Sequence, residues 1–259
     1  MVQFGEQLAW TFVMGGLVRD AGAANEPEQV YGRLIREWLA AAQESKMPFD
    51  PLLWQEGPIT SSYPACMAVR AAAEQADDGG YRYLRRLREG LMCERRKLDH
   101  AEALVEEARG AGLDVERFRI DLHSHAITES FGSDLDRTNA LAERDDPASA
   151  VGPRSLGSGG ASLPSIVFGD EGGGAVAVLG LHPYDAYRDA ALAAGAEPVP
   201  ERAPSVLEVV ERFGRVATRE VELICELPGP RARAELYRMA EQWELRPTQI
   251  LTGTMWELE

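Results

Sequence analysis

Apolar positions along the chain follow two rhythms. Leu8 to Met14 is an unbroken apolar run with aromatic and β-branched members, ended by Gly15-Gly16. Such a run predicts a buried strand. From about residue 26 the spacing changes to three and four. Asn25 and Glu28 form a capping-box pattern with Pro27 in the first turn, and Tyr31, Leu34, Ile35, Trp38, Leu39 and Ala42 then share one helical face. Residues 47–58 form a proline-punctuated loop that must pack down. Leaving Phe49, Leu52, Leu53 and Trp54 wet would forfeit about 1.5–3 kcal/mol for each. Ser61-Ser62-Tyr63-Pro64 opens a second helix with Ala65, Ala68, Val69, Ala72 and Ala73 at helical spacing. Leu84, Leu87 and Leu91 mark a third helix. Asp99 with Glu102 caps a fourth, and Asp114 caps a fifth through Val115, Phe118 and Leu122. Residues 26–142 therefore read as mainly helical.

The rhythm then breaks. Residues 144–162 are rich in Gly, Pro and Ser and read as a loop. Leu163-Pro164 leads into a short strand at Ser165 to Phe168, Gly169 to Gly174 is a turn, and Ala175 to Leu179 is a second strand. The two predict an antiparallel hairpin. A helix follows from Pro183 to Gly195. Glu197 to Pro204 is a proline-rich linker, which divides the chain into a unit at 1–195, a linker at 196–204 and a unit at 205–259. In the last unit Ser205 and Glu208 make another capping box. Two further helices, Thr218 to Glu226 and Arg231 to Trp243, are split by Pro228-Gly229-Pro230, and strand-like residues run from Thr248 to Leu258. Helix-turn-helix followed by a hairpin suggests a winged-helix-like module.

Composition narrows the function classes. The chain has 259 residues, 42 acidic against 27 basic side chains, and a net charge of -15. That field repels phosphate backbones and anionic lipid surfaces. The arginines at 231, 233 and 238 would serve a nucleic-acid-binding helix, but residues 201–259 hold 8 Arg against 11 Glu. Neither nucleic acid nor membrane is expected as a partner. No run of eighteen apolar residues and no signal-peptide pattern occurs, so the expected location is the cytoplasm. Cys66, Cys93 and Cys225 form no C-x-x-C and lie near no histidine at zinc spacing.

Chemistry-bearing motifs are sparse. Cys66 falls in the first turn of the Pro64 helix, where a helix dipole would stabilise a thiolate, which makes it the one weak catalytic candidate. The competing reading is a small side chain packed among alanines. Asp121, His123 and His125 would share a face on a strand, but in a helix they diverge, so no metal site is expected. His182 precedes a proline at a strand-to-helix junction and reads as structural. Phosphate-loop and G-x-S-x-G patterns are missing, and no cofactor is expected.

The order of pieces resembles the DsbA-like thioredoxin group, in particular the cytosolic DsbA/FrnE branch and the SpxH/YjbH type of ClpXP adapter. The matching residues are Val13-Met14-Gly15-Gly16-Leu17, Trp54 with Pro58, Ser61-Ser62-Tyr63-Pro64-Ala65, Gly112-Leu113-Asp114-Val115, Leu163-Pro164, Pro183-Tyr184, and Val216 to Val221 with Trp256. The resemblance implies an α/β thioredoxin-like fold of DsbA type, with a large helical insertion at about 26–142 and a small C-terminal winged-helix-like module. It implies that Pro164 is a cis-proline and that Leu163, Pro164, Tyr63 and Trp54 face a bound partner. Relatives begin with a strand, a C-x-x-C and a helix, for which only seven residues stand before Leu8. An N-terminally truncated thioredoxin unit is therefore expected. Two functions follow from the resemblance. One is a non-catalytic adapter that binds another protein, its acidic surface suited to a basic partner face. The other is a thiol-disulfide oxidoreductase or isomerase whose C-x-x-C lies upstream of Met1. A third class, the glutathione-transferase-kappa and isomerase relatives, would place its key residue in that same upstream segment.

Overall fold

The computed structural model describes residues 2–21, 27–75, 79–143, 162–169, 175–199 and 202–259. Helix α1 (Pro27–Ser45) buries Leu34 and Ala42, as the periodicity requires, while Leu39 stays 42% exposed. The Asn25 cap lies outside the described residues. The loop after α1 packs down and folds into a short helix, α2 (Leu53–Glu56). Leu53 and Trp54 are buried, and Trp54 sits with Leu34 and Ile59 in a small cluster roofed by Tyr31, Ile35 and Trp38.

The largest core lies among α3 (Tyr63–Ala73), α4 (Gly79–Cys93), α5 (Ala101–Gly110), α6 (Val115–Leu122) and α7 (His125–Ala142). Its centre explains the alanine pattern. Ala68, Ala71 and Ala72 are fully buried on α3, and their small side chains let the neighbouring helices come close. Tyr83 and Phe118 fill the remaining space at 5.2 Å between ring centroids, and the Tyr83 hydroxyl donates to Leu104 O at 2.9 Å. A buried phenol needs such a partner. Glu107 is equally buried and is held by Arg86 at 3.2 Å and by Arg96. Asp114 caps α6 as predicted, accepting from the N–H groups of Glu116 and Arg117. Asp99 does not cap α5. The N-cap there is His100, and Asp99 instead accepts from the N–H and hydroxyl of Thr60 at 2.8 and 3.0 Å. The carboxylate serves an incoming loop rather than its own helix.

The predicted hairpin forms. Strands β1 (Ser165–Phe168) and β2 (Val176–Leu179) pair antiparallel, Ser165 opposite Leu179, and α8 (Tyr184–Ala193) packs on them. The loop at 144–161 and the turn at 170–174 fall outside the described residues. The strand expected at Leu8 to Met14 does not form: the segment has no regular secondary structure, with Trp10 39% and Val13 38% exposed. An apolar run becomes a strand only where a ladder partner lies alongside it. Here side chains hold the segment instead. Asp134 accepts from the Met14 N–H at 3.0 Å, Arg70 donates to Phe12 O, and the Phe12 ring stacks on Tyr81.

Residues 205–259 have their own core of Val209, Val210, Val216, Val221, Leu236, Leu245 and Trp256. The order is α9 (Val206–Phe213), β3 (Val216–Ala217), α10 (Thr218–Ile224), α11 (Gly229–Glu241), β4 (Leu245–Ile250) and β5 (Gly253–Leu258), with sheet order β3-β5-β4. The Ser205–Glu208 capping box is complete, each side chain bonding the other's backbone. The hairpin begins at Leu245, three residues before the strand-like stretch that the sequence suggested. This unit docks on α4 and the loop after α1. Cys93, Ala217, Ile250 and Met255 share a cluster with Met47 and Met92. Arg85 forms two parallel bonds to Glu220 at 2.8 and 3.0 Å, and Arg215 pairs with Glu94.

Candidate functional site

Of the predicted residues, Tyr63 and Leu163 meet at Gly15-Gly16. This turn threads between the start of α3, the face of α7 and Leu163. A Cβ on Gly15 would lie 2.9 Å from Leu163 Cδ1, and one on Gly16 would lie 2.8 Å from Tyr63 Cε1 and 2.9 Å from Leu135 Cδ2. Gly16 also has φ +59, a left-handed backbone that side-chain-bearing residues rarely adopt. The two glycines therefore permit a close approach that larger residues would block. Tyr63 is packed edge-on to Phe131 at 5.0 Å. The chain leaving Gly16 is pinned to the α3 entrance: Val18 N–H donates to Ser62 Oγ at 2.9 Å, and Ser62 N–H donates to Val18 O at 2.8 Å.

Beneath the turn lies a buried polar group. Asp134 is 2% exposed and lies 3.6 Å from Arg70, which donates to Ser130 Oγ at 2.8 Å. Burial raises the Asp134 carboxyl above its usual range, while the Met14 N–H and the Arg70 guanidinium pull it back. The arrangement anchors the glycine turn to α3 and α7.

The Leu163–Pro164 peptide is cis, as the resemblance implies, and Pro164 is exposed at the start of β1. Leu163 and Tyr63 thus border one region around Gly15-Gly16, and Pro164 follows Leu163 directly in the chain. Trp54 does not join them. It is 3% exposed, with Trp38 edge-on at 5.4 Å and Tyr31 stacked at 6.3 Å, so it belongs to the α1–α2 cluster and presents no face to a partner.

Cys66 lies under the same turn but is not activated. Burial pushes its thiol up to about 11; the Gly16 N–H lowers it and nearby Asp134 raises it further. Desolvation by burial outweighs the stabilisation expected from the helix start. Burial also raises Cys93 to about 12 and Cys225 to about 11. All three thiols are protonated at neutral pH, and a thiol in that state is a poor nucleophile. Asp121 lies in the last turn of α6, His123 follows the helix, and His125 opens α7, where its ring faces Glu129 at 3.2 Å. His182 Nε2 lies 2.8 Å from Leu179 O, and its N–H donates to the Tyr187 hydroxyl, a structural junction as read from the sequence.

Sequence reasoning missed a second surface. An open groove of about 830 Å³ lies between the end of α1, residues 46–48 and the docked C-terminal unit. Its walls come from segments about two hundred residues apart, so no local pattern marks it.

These features describe a site whose neighbouring thiol is not activated, and similarity to known proteins gives the family. A family model described as Thioredoxin matches residues 10–151, more than half of the chain, and the chain belongs to that family. Its relatives include the ClpXP adapter protein SpxH of Halalkalibacterium halodurans, 29% identical over 229 residues, covering 86% of this chain and 68% of that protein. The ClpXP adapter protein SpxH of Bacillus subtilis is 27% identical over 232 residues, covering 86% of this chain and 71% of that protein. The protein of the same name in Bacillus cereus is 22% identical over 261 residues and covers 99% of this chain, including the C-terminal unit. Among the described residues, no helix is long and apolar enough to cross a membrane.

Proposed function

We propose that this chain is a protein-binding adapter of the ClpXP type, holding a client protein for the protease without thiol chemistry of its own. The observation that carries this reading is the likeness to proteins named ClpXP adapter along nearly the whole chain, the C-terminal unit included. The three raised thiols support the non-catalytic half of the reading. In this reading residues 1–195 form a DsbA-type thioredoxin unit with a helical insertion at about 26–142. Residues 196–204 link it to a winged-helix-like module at 205–259, a view supported by the helix–strand–helix–helix–strand–strand order there. Leu163, Pro164 and Tyr63 border the partner-facing surface. The adapter works in the cytoplasm, and its acidic exterior suits a client with a basic face.

The test is protein turnover in the source organism. Deleting the gene should lengthen the half-lives of a small set of proteins. Resupplying the chain should shorten them again only where ClpXP is active. Purified ClpXP should then degrade one of those proteins faster with the chain than without it. Unchanged half-lives, or restoration without ClpXP, would refute the reading.

A further inference from the structure

The groove beside the C-terminal unit has an unusual charge for this protein. Against a net charge of -15, its walls carry Lys46, Arg219 and Arg233, with Glu222 as the one acid among the described residues. Arg219 is satisfied by Glu222 at 2.8 Å. Lys46 and Arg233 take part in no ion pair among the described residues. Large apolar side chains stand beside them: Leu39 is 42% exposed, Tyr237 49% and Leu251 57%. The groove is also braced. Phe49 N–H donates to Thr252 Oγ1 at 2.7 Å, and that hydroxyl donates back to Phe49 O at 3.1 Å, tying the β4–β5 turn to the loop after α1. Lys46 follows the last residue of α1 with φ +60, a position where glycine is the usual occupant. The chain keeps a lysine there and so projects a cation at the groove.

We propose, building on the adapter reading, that this groove binds an acidic peptide segment of a protein partner. Carboxylates of that segment meet Lys46 and Arg233, and a bulky apolar side chain seats among Leu39, Tyr237 and Leu251. Charge complementarity selects this occupant. Two free cations separated by apolar surface match a short segment in which acids flank an aliphatic or aromatic residue. A nucleic acid would need a longer row of cations and would meet the net negative C-terminal unit.

The test uses the full chain and a fluorescein-labelled ten-residue peptide of Asp and Glu with a central Leu-Phe pair. Fluorescence anisotropy should show saturable binding that weakens about tenfold between low and high salt. The double variant Lys46→Glu with Arg233→Glu should bind about tenfold more weakly or worse, as should Leu251→Asp, with thermal unfolding unchanged. Both cations are at the surface, so folding is not at stake. No saturation up to about 1 mM peptide, equal binding of a peptide with Gln for every acid, equal binding by the double variant, or preference for a single-stranded DNA oligomer would each overturn the proposal. Client degradation separates it from the adapter reading. Stimulation that survives the double variant removes the groove and leaves the adapter; peptide binding without stimulation removes the adapter and leaves the groove.

Discussion

Replacing Gly16 by alanine tests whether the glycine turn is held as tightly as its surroundings indicate. Two costs add. An L-residue at φ +59 costs about 1–2 kcal/mol. The new methyl would stand 2.8 Å from Tyr63 Cε1, 2.9 Å from Leu135 Cδ2 and 3.3 Å from Phe131 Cζ, all ring or branched carbons in a packed core. Forcing them apart costs about 1–3 kcal/mol more. Gly16→Ala should therefore lose about 2–5 kcal/mol, a large share of an ordinary domain's stability of about 5–15 kcal/mol. Two other glycines separate the causes. Gly112 has φ +78 with open space around it, so Gly112→Ala should show the backbone cost alone, about 1–2 kcal/mol. Gly132 lies inside α7 with nothing within 4 Å, so Gly132→Ala should stabilise by about 0.5–1 kcal/mol. Equilibrium urea unfolding of the three variants gives the comparison. If Gly16→Ala costs no more than Gly112→Ala, the packing described around Tyr63 and Phe131 is wrong.

Other outcomes follow from the same chemistry. Tyr83→Phe removes the buried bond to Leu104 O at 2.9 Å and should cost about 1–2 kcal/mol in urea unfolding. Burial, with Glu220 and Glu94 nearby, raises the Glu89 carboxyl from 4.5 to about 7 against the pull of Arg85 and Arg215. Between those values the folded chain holds a proton that the unfolded chain has released, so stability falls as pH rises through that window. The loss is at most about 3 kcal/mol; Glu89→Gln should flatten the stability–pH curve there and be more stable than the parent above pH 7. An unchanged slope would refute the assignment. With thiols at about 11 to 12, alkylation of the folded chain near neutral pH should run at least about a hundredfold slower than after denaturation. One cysteine reacting at the unfolded rate would contradict the burial argument.

The sequence revealed what is set locally. Spacing placed α1 and α3 to α6, the Asp114 and Ser205 caps, and the β1–β2 hairpin, because each depends on residues within a few positions. It failed where a distant partner decides. Leu8 to Met14 has the composition of a strand, yet it is tied down by Asp134 and Arg70, more than fifty residues away. Asp99 has the spacing of a cap, yet bonds Thr60. At the candidate site, the resemblance named Tyr63, Leu163, Pro164 and Gly15-Gly16, and Tyr63 and Leu163 lie against the two glycines. Trp54 carried the same mark but proved to be core. The state of Cys66 was not legible, since position in a helix suggests a lowered pKa and only the packed structure shows the desolvation that reverses it. The groove joins Lys46 to Arg233 only after the C-terminal unit has docked, and no periodicity anticipates that.

An adapter that hands proteins to a protease does so without thiol chemistry of its own. The direct measurement is the rate at which purified ClpXP degrades a client, with no adapter, with this chain, and with a variant carrying serine at positions 66, 93 and 225. The chain should accelerate degradation, and the serine variant should accelerate it equally. No acceleration by the chain, or acceleration abolished by the three serines in a variant that folds normally, would contradict it.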